Sequence, residues 1–342
     1  MALDQGLGTD RLLAGDVVGH DGPQHLQLPV LQHVLLLPAR GDWHSSRQSA
    51  SLAVVQPGAG RSGSWQLVAD RVWRAVAEPD SVTVAVVAGE EAALVVDPGS
   101  TPEQGRALRA EAEELTGLPV RGAVATHAHS DHAFGLAAFD DLTTWGHEGL
   151  AEALRAEPAR TAARRLGLDP AALAAPNRPF ALAAGVDLGG RWVELAHLGE
   201  GHTTSDVVVV VADAGVVLVG DLLESAGPPW WGEDSAPDAW PATLDAVLGL
   251  LAGGRVRALP GHGPALSFSD ALLQRGQVAA VAGEIERLLV AGTPVEQAAA
   301  QGSWPFPVEH VAAGVPTGYR RLTERGVRPS RDLPITPVRR PD

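Results

Sequence analysis

The 342-residue chain contains no cysteine and no lysine. Without cysteine there can be no disulfide, thiol nucleophile, redox pair or thiolate-ligated metal, so any bound metal must rest on histidine and carboxylate. All 26 basic residues counted as Lys+Arg are therefore arginine, a bias that carries no mechanism of its own. Aromatic residues make up only 4% of the chain, and Tyr319 is the single tyrosine. Positive charge is scarce as well: 41 Asp+Glu against 26 Lys+Arg leave a formal net charge of -15, which repels phosphate backbones and anionic membrane surfaces. The expected partner is a small-molecule substrate, with no nucleic acid and no membrane. No segment reaches the roughly 20 apolar residues of a membrane span. The longest candidate, 207–219, is broken by Asp213 and Gly215 and reads as a hairpin of two buried strands. Asp4, Asp10, Arg11 and Asp16 precede the first apolar cluster, an order unlike a secretory signal, so the expected location is cytoplasmic.

With 45% apolar and 20% charged residues, the chain is globular and long enough for one large domain with extensions or for two modest ones. Residues 1–62 are polar and rich in Gly, Gln, His and Ser, and read as a loosely ordered N-terminal extension. The working domain is expected over 63–292, followed by a C-terminal helix and extended tail over 293–342. Short β-rich runs at 66–77, 82–87 and 92–96 read as a meander. Thr101-Pro102-Glu103 then starts a helix that Gly117 ends, and a strand follows at 122–126. Further helices are expected at 147–166, 242–251, 269–291 and 294–301, and 170–182 reads as helix fragments and loop. Strands are expected at 192–195, 207–212, 216–219 and 256–259. Early strands followed by strands alternating with helices imply an α/β (α+β) protein with mixed sheets covered by helices.

The stretch Thr126-His127-Ala128-His129-Ser130-Asp131-His132 carries three His and one Asp where a buried-looking strand ends. Histidines one residue apart in an extended segment project two imidazoles to one side, while Asp131 and His132 turn the other way, a geometry able to feed two metals. A polar turn with Asp131 capping the run from Ala133 is the plainer alternative. Further ligand-type residues follow in glycine-flanked turns: His202 in Gly201-His202-Thr203, Asp221 in Gly220-Asp221 and His262 in Gly261-His262-Gly263.

These elements, with Asp97 in Val95-Val96-Asp97-Pro98-Gly99, resemble the metallo-β-lactamase superfamily over about residues 65–290. The resemblance implies a four-layer αββα sandwich with the site on loops at one edge. It implies that His127, His129 and His202 bind one metal, that Asp131, His132 and His262 bind another, and that Asp221 bridges them. It also implies that Asp97 fixes a ligand's orientation. The cofactors implied are two divalent ions, zinc first, with iron or manganese compatible with nitrogen and oxygen ligands. The reaction implied is hydrolysis by a metal-bridging hydroxide, with Asp131 and Asp221 as the carboxylates that serve it.

Within the superfamily, the absent cysteine excludes β-lactamases with a cysteine ligand. The ligand pattern is most similar to glyoxalase II and related lactonases, which implies a thioester or lactone substrate. A phosphodiesterase is the alternative, kept open by Thr203, Thr204 and Ser205 beside His202, and a non-catalytic metal-binding module is another. Trp230, Trp231 and Thr203 are candidate pocket residues, with Trp240 and Trp304-Pro305-Phe306 as further candidates to close the same pocket. His147, His197 and His310 are read as surface or packing groups; His197 is the one that lies close before His202.

Overall fold

The computed structural model describes residues 64–252 and 256–330. The expected extension over 1–62 and the end of the tail, 331–342, lie outside the described residues. Seven strands form the first sheet in sequence order: β1 (Gln66–Ala69), β2 (Val72–Ala77), β3 (Val82–Ala88), β4 (Ala93–Val96), β5 (Val120–Val124), β6 (Thr143–His147) and β7 (Arg178–Phe180). Strands β1 to β4 make the expected antiparallel meander, whereas β4 to β7 run parallel. The second sheet contains β8 (Ala183–Asp187), β9 (Trp192–Ala196), β10 (Val208–Val211), β11 (Val216–Gly220) and β12 (Arg257–Pro260), in the order β12-β11-β10-β9-β8. The valine-rich run at 207–219 is the β10–β11 hairpin, closed where Val211 pairs with Val216.

Layering follows from which faces are apolar. All seven residues of β3 are buried, as expected for a strand covered on both faces. Its Ala85 and Val87 join Leu94, Val96, Leu195, Val209, Val211 and Leu218 in a core between the sheets. Val86 and Ala88 point the other way, with Val95 and Ala123, toward α1 (Pro102–Thr116), the 3-10 segment Phe134–Phe139, α3 (Leu150–Ala153) and α4 (Glu157–Arg165). A short α2 (Ser130–Ala133) precedes that 3-10 segment. Behind the second sheet, Val208, Val217, Val219 and Ala258 pack on α5 (Trp240–Leu251), α6 (Phe268–Val290), α7 (Val295–Gln301), α8 (Val308–Val311) and α9 (Gly314–Glu324). The result is the αββα sandwich. No described helix is long and apolar enough to cross a membrane.

Local signals explain the well-defined ends. Thr101 accepts the Gln104 amide at the start of α1, and Gly117, at φ +68°, closes it. Ser267 and Asp270 form a reciprocal capping box on α6. Two expectations are corrected. The helix foreseen over 147–166 is a strand end at His147 followed by two helices: Pro158 has no amide to donate to the Leu154 carbonyl and its ring would clash with it, so the run breaks at Ala156, which is extended, and restarts as α4. The single C-terminal helix is three, and Val311, Val315, Tyr319 and Leu322 of the last two enter the same core as α5 and α6.

At one end of the sandwich Arg191, 7% exposed, clamps the two sheets. Its guanidinium donates to the carbonyls of Asp70, Arg71 and Ala88 of the first sheet and pairs with Asp213 in the β10–β11 turn. Loops that follow the C-terminal ends of β4, β5, β11 and β12 gather at the opposite end, and the histidines lie there.

Candidate metal centre

The centre is built outward from Asp97. This residue ends β4 with a φ of +56°, a backbone turn that aims its carboxylate across the sheet toward the loop after β5. There Oδ1 accepts the Thr126 amide at 2.7 Å, and Oδ2 accepts the Thr126 hydroxyl at 3.0 Å and His132 Nδ1–H at 2.9 Å. The expectation that Asp97 orients a ligand histidine corresponds to this contact. With Nδ1 protonated, the His132 tautomer is fixed and its Nε2 lone pair is turned inward.

Three other imidazoles are oriented the same way, each by a different acceptor. Thr126 Oγ1 takes His127 Nδ1–H at 3.1 Å, Asp234 Oδ2 takes His129 Nε2–H at 3.0 Å, and the Trp230 carbonyl takes His202 Nδ1–H at 3.1 Å. Their remaining nitrogens converge: His127 Nε2 lies 3.1 Å from His129 Nδ1, which lies 2.9 Å from His202 Nε2. Burial drives the His127 imidazole well below its ordinary pKa, with His132 adding to the effect, and lowers His202 to about 4. Both are therefore neutral, with lone pairs available. Lone pairs aimed at one another in a dry site repel unless a cation lies between them.

A second group adjoins the first. Asp131 Oδ2 is 3.4 Å from His132 Nε2 and 3.2 Å from His262 Nε2. Asp221 reaches both groups, with Oδ1 3.3 Å from His132 Nε2 and Oδ2 3.6 Å from both His202 Nε2 and His262 Nε2. His132 Nε2 and Asp221 Oδ1 are buried without a hydrogen-bond partner. Such orphaned atoms are what a metal-ligand pair leaves when described without its ion. All seven residues expected to bind metal are thus brought together, and His127, His129, His202 and Asp221 form one potential ligand set while Asp131, His132 and His262 form another. The donors are nitrogen and oxygen only, a set that suits divalent zinc, iron or manganese.

Glycine makes the close approach of these loops feasible. A Cβ on Gly261 would lie 1.8 Å from Asp221 Oδ1. Gly220 takes a φ of +52°, and a Cβ there would meet Thr126 Oγ1 at 2.8 Å.

The expected pocket residues fare differently. Trp230 is 45% exposed beside His202, its ring against that of His310. Trp231 is 1% exposed and packs on Trp240 and Phe306, so it belongs to the core and not to a pocket wall. Trp240 is likewise buried, its indole N–H donating to the Leu222 carbonyl, and Trp304 donates to Ala299. Thr203 is corrected too: it is buried, and its amide and hydroxyl both donate to Asp206, which shapes the loop that presents His202. Burial pushes the Asp206 carboxyl up to about 7, although the Thr203 amide and hydroxyl oppose the shift. His197 is not in the centre; its Nδ1–H donates to the Asp206 carbonyl and its ring lies on that of His147, centroids 4.1 Å apart.

Two residues at the centre escape sequence reasoning. Asp234, which holds His129, and Glu224, which with Asp221 and His262 forms a third potential ligand group, are both ordinary turn acids in sequence. Burial and the Asp221 charge push the Glu224 carboxyl well above its ordinary pKa. The segment that carries Asp234 is held from the C-terminal side: the Trp231 amide donates to the His310 carbonyl, Thr317 donates to the Glu233 carbonyl, and Arg321 and Arg325 both pair with Asp238.

The sequence profile of the metallo-beta-lactamase superfamily matches residues 77–262, more than half of the chain. Among solved structures, a metallo-beta-lactamase from Pontibacter korlensis superposes with a TM-score of 0.52 at 20% identity, covering 63% of this chain and 98% of that one. The DIM-1 metallo-beta-lactamase superposes with a TM-score of 0.53 at 16% identity, covering 64% of this chain and 98% of the other. VMB-1 gives a TM-score of 0.53 at 18% identity, covering 65% and 100%. No curated protein sequence matches the chain. At such identities the superpositions speak for the fold. The profile match, which begins in β2 and ends at His262, the last of the clustered histidines, shows that the chain belongs to the metallo-beta-lactamase superfamily, a superfamily of metal-dependent hydrolases.

Proposed function

We propose that the protein is a dinuclear metal-dependent hydrolase acting on a small ester-like substrate, a thioester or a lactone. The observation that carries this reading is the position of Asp221, whose carboxylate faces the imidazoles of His127, His129 and His202 on one side and Asp131, His132 and His262 on the other. Two divalent ions, zinc in the first instance, would polarise the scissile carbonyl and supply a nucleophile at neutral pH. The chain's own part is orientation. Asp97, Asp234, Thr126 and the Trp230 carbonyl set four imidazole tautomers, and burial keeps His127 and His202 uncharged until a cation arrives. Trp230, half exposed next to His202, offers an apolar wall for the acyl or ring portion of the substrate.

The phosphodiesterase alternative needs donors for a phosphate. Of Thr203, Thr204 and Ser205, the first and last are buried and bonded within the His202 loop, only Thr204 is exposed, and the net charge of -15 opposes polyanions. The non-catalytic alternative sits poorly with a complete ligand set.

The test is elemental analysis of protein purified without chelator, alongside a panel of chromogenic thioesters, lactones and phosphodiesters. About two metal equivalents per chain, reduced in His129→Ala and Asp221→Ala, with turnover of a thioester or lactone, supports the proposal. Protein that acquires no metal, or metal-loaded protein that turns over only phosphodiesters, overturns it.

A further inference from the structure

Glu224 follows Asp221 by three residues, in the turn that leaves β11, and none of the seven expected ligands accounts for it. Its backbone is fixed on both sides by one side chain of α6: the Glu224 amide donates to Gln274 Oε1 at 2.8 Å, and Gln274 Nε2 donates to the Glu224 carbonyl at 2.7 Å. Glu224 is 9% exposed and Gln274 8%, so a rigid, nearly dry clamp delivers the carboxylate to the centre. There one Glu224 oxygen lies within 4.8 Å of both an Asp221 oxygen and a His262 nitrogen. The charged groups acting on it are Asp221, His132 and Asp131, so three carboxylates share one pocket. Like charges at such range and low dielectric repel strongly, and a shared divalent ion removes that repulsion with Glu224 ionised. A further observation concerns His132: its Nε2, 3.3 Å from Asp221 Oδ1, is buried without a hydrogen-bond partner, as is that oxygen.

From this geometry we infer that Glu224 is an additional ligand of the second ion. The inference rests on the two-ion reading given above. The two sites then differ in chemistry: His127, His129 and His202 give the first three imidazoles with Asp221, whereas the second combines His132 and His262 with Asp131, Asp221 and Glu224. Carboxylate ligands favour hard cations such as Mn²⁺, and imidazoles favour zinc. The second site therefore prefers Mn²⁺ relative to Zn²⁺ more than the first site does, and the centre accommodates a mixed pair.

The experiment is calorimetric titration of the metal-free full-length chain with Zn²⁺ and, separately, Mn²⁺, comparing the wild type with Glu224→Gln and Glu224→Asp. Circular dichroism and the melting temperature of the metal-free proteins report the fold. Expected are two equivalents in the wild type, an unchanged first equivalent in Glu224→Gln, a second Mn²⁺ equivalent weakened about tenfold or more, and partial recovery in Glu224→Asp. A folded Glu224→Gln that binds its second Mn²⁺ as tightly as the wild type overturns the inference while leaving the two-ion reading intact. If Glu224→Gln does not fold, the wild type decides: the same Mn²⁺ to Zn²⁺ preference at both sites overturns the inference. A wild type with no tight equivalent overturns both.

Discussion

His129 Nε2 and Asp234 Oδ2 are 3.0 Å apart, joining residues 105 positions distant in the chain. Burial alone would lower the His129 pKa, but the Asp234 hydrogen bond and charge, with the charges of Asp131 and Asp221, outweigh it and leave the imidazole raised. The same bond reserves Nδ1 for the cluster. Asp234→Ala is expected to weaken the first metal equivalent by about 10–100-fold without altering the fold. Competition with a chromophoric chelator measures this directly; an unchanged first affinity would show that Asp234 does not orient the ligand.

Gly261 admits no side chain. Its amide donates to the Gly220 carbonyl and its carbonyl accepts the Thr83 amide, so the backbone is pinned from both sides while a Cβ would sit on Asp221 Oδ1. Gly261→Ala is expected to displace the Asp221 carboxylate and lower metal stoichiometry, which elemental analysis reads. Full stoichiometry in the variant contradicts it.

Arg191 tests the opposite end of the sandwich. Its substitution by Ala removes charge-assisted bonds to three carbonyls and is expected to cost about 3 kcal/mol of stability in urea unfolding. Metal stoichiometry of the folded variant should not change, because no ligand touches this clamp.

Asp206 ties stability to pH with a definite sign. Its folded pKa, raised to about 7 from 3.8, means that the folded chain holds the proton more tightly than the unfolded chain. Stability from this group is full below about pH 4 and lost as pH rises to about 7, by up to about 4 kcal/mol. Asp206→Asn cannot titrate, so for metal-free protein its stability relative to the wild type should increase across that window. Parallel stability curves for the two proteins would show that Asp206 does not titrate there.

For Trp230, truncation should separate binding from chemistry. Trp230→Ala keeps the backbone carbonyl that holds His202, so metal content is expected to remain while KM for an ester substrate rises about tenfold. A lower kcat at unchanged KM would argue against a pocket wall.

The clustering of the seven candidate ligands was legible in the sequence because they lie in short local patterns: HxHxDH after an apolar strand, then histidine or aspartate beside glycine. Helix α1 was legible for a similar reason, since Thr101, Pro102 and Gly117 mark its ends chemically. Strand β6, Thr-Thr-Trp-Gly-His, was not, because it has neither alternation nor a β-branched apolar run. It is a strand because β5 and β7 pair on both of its sides. Asp234 and Glu224 were illegible for a deeper reason. Each is an acid in a turn until α6 or the C-terminal helices fix its backbone against a histidine from a distant loop.

The reach of the C-terminal helices bears on how the protein is made. Thr317, Arg321 and Arg325 hold the segment that carries Asp234, so the first ligand set acquires its final support from the last described helix. During synthesis the histidines emerge well before that brace exists. On the two-ion reading, tight capture of the first ion would therefore wait until α9 has been made and docked, and a chain cut short before α9 would bind that ion more weakly.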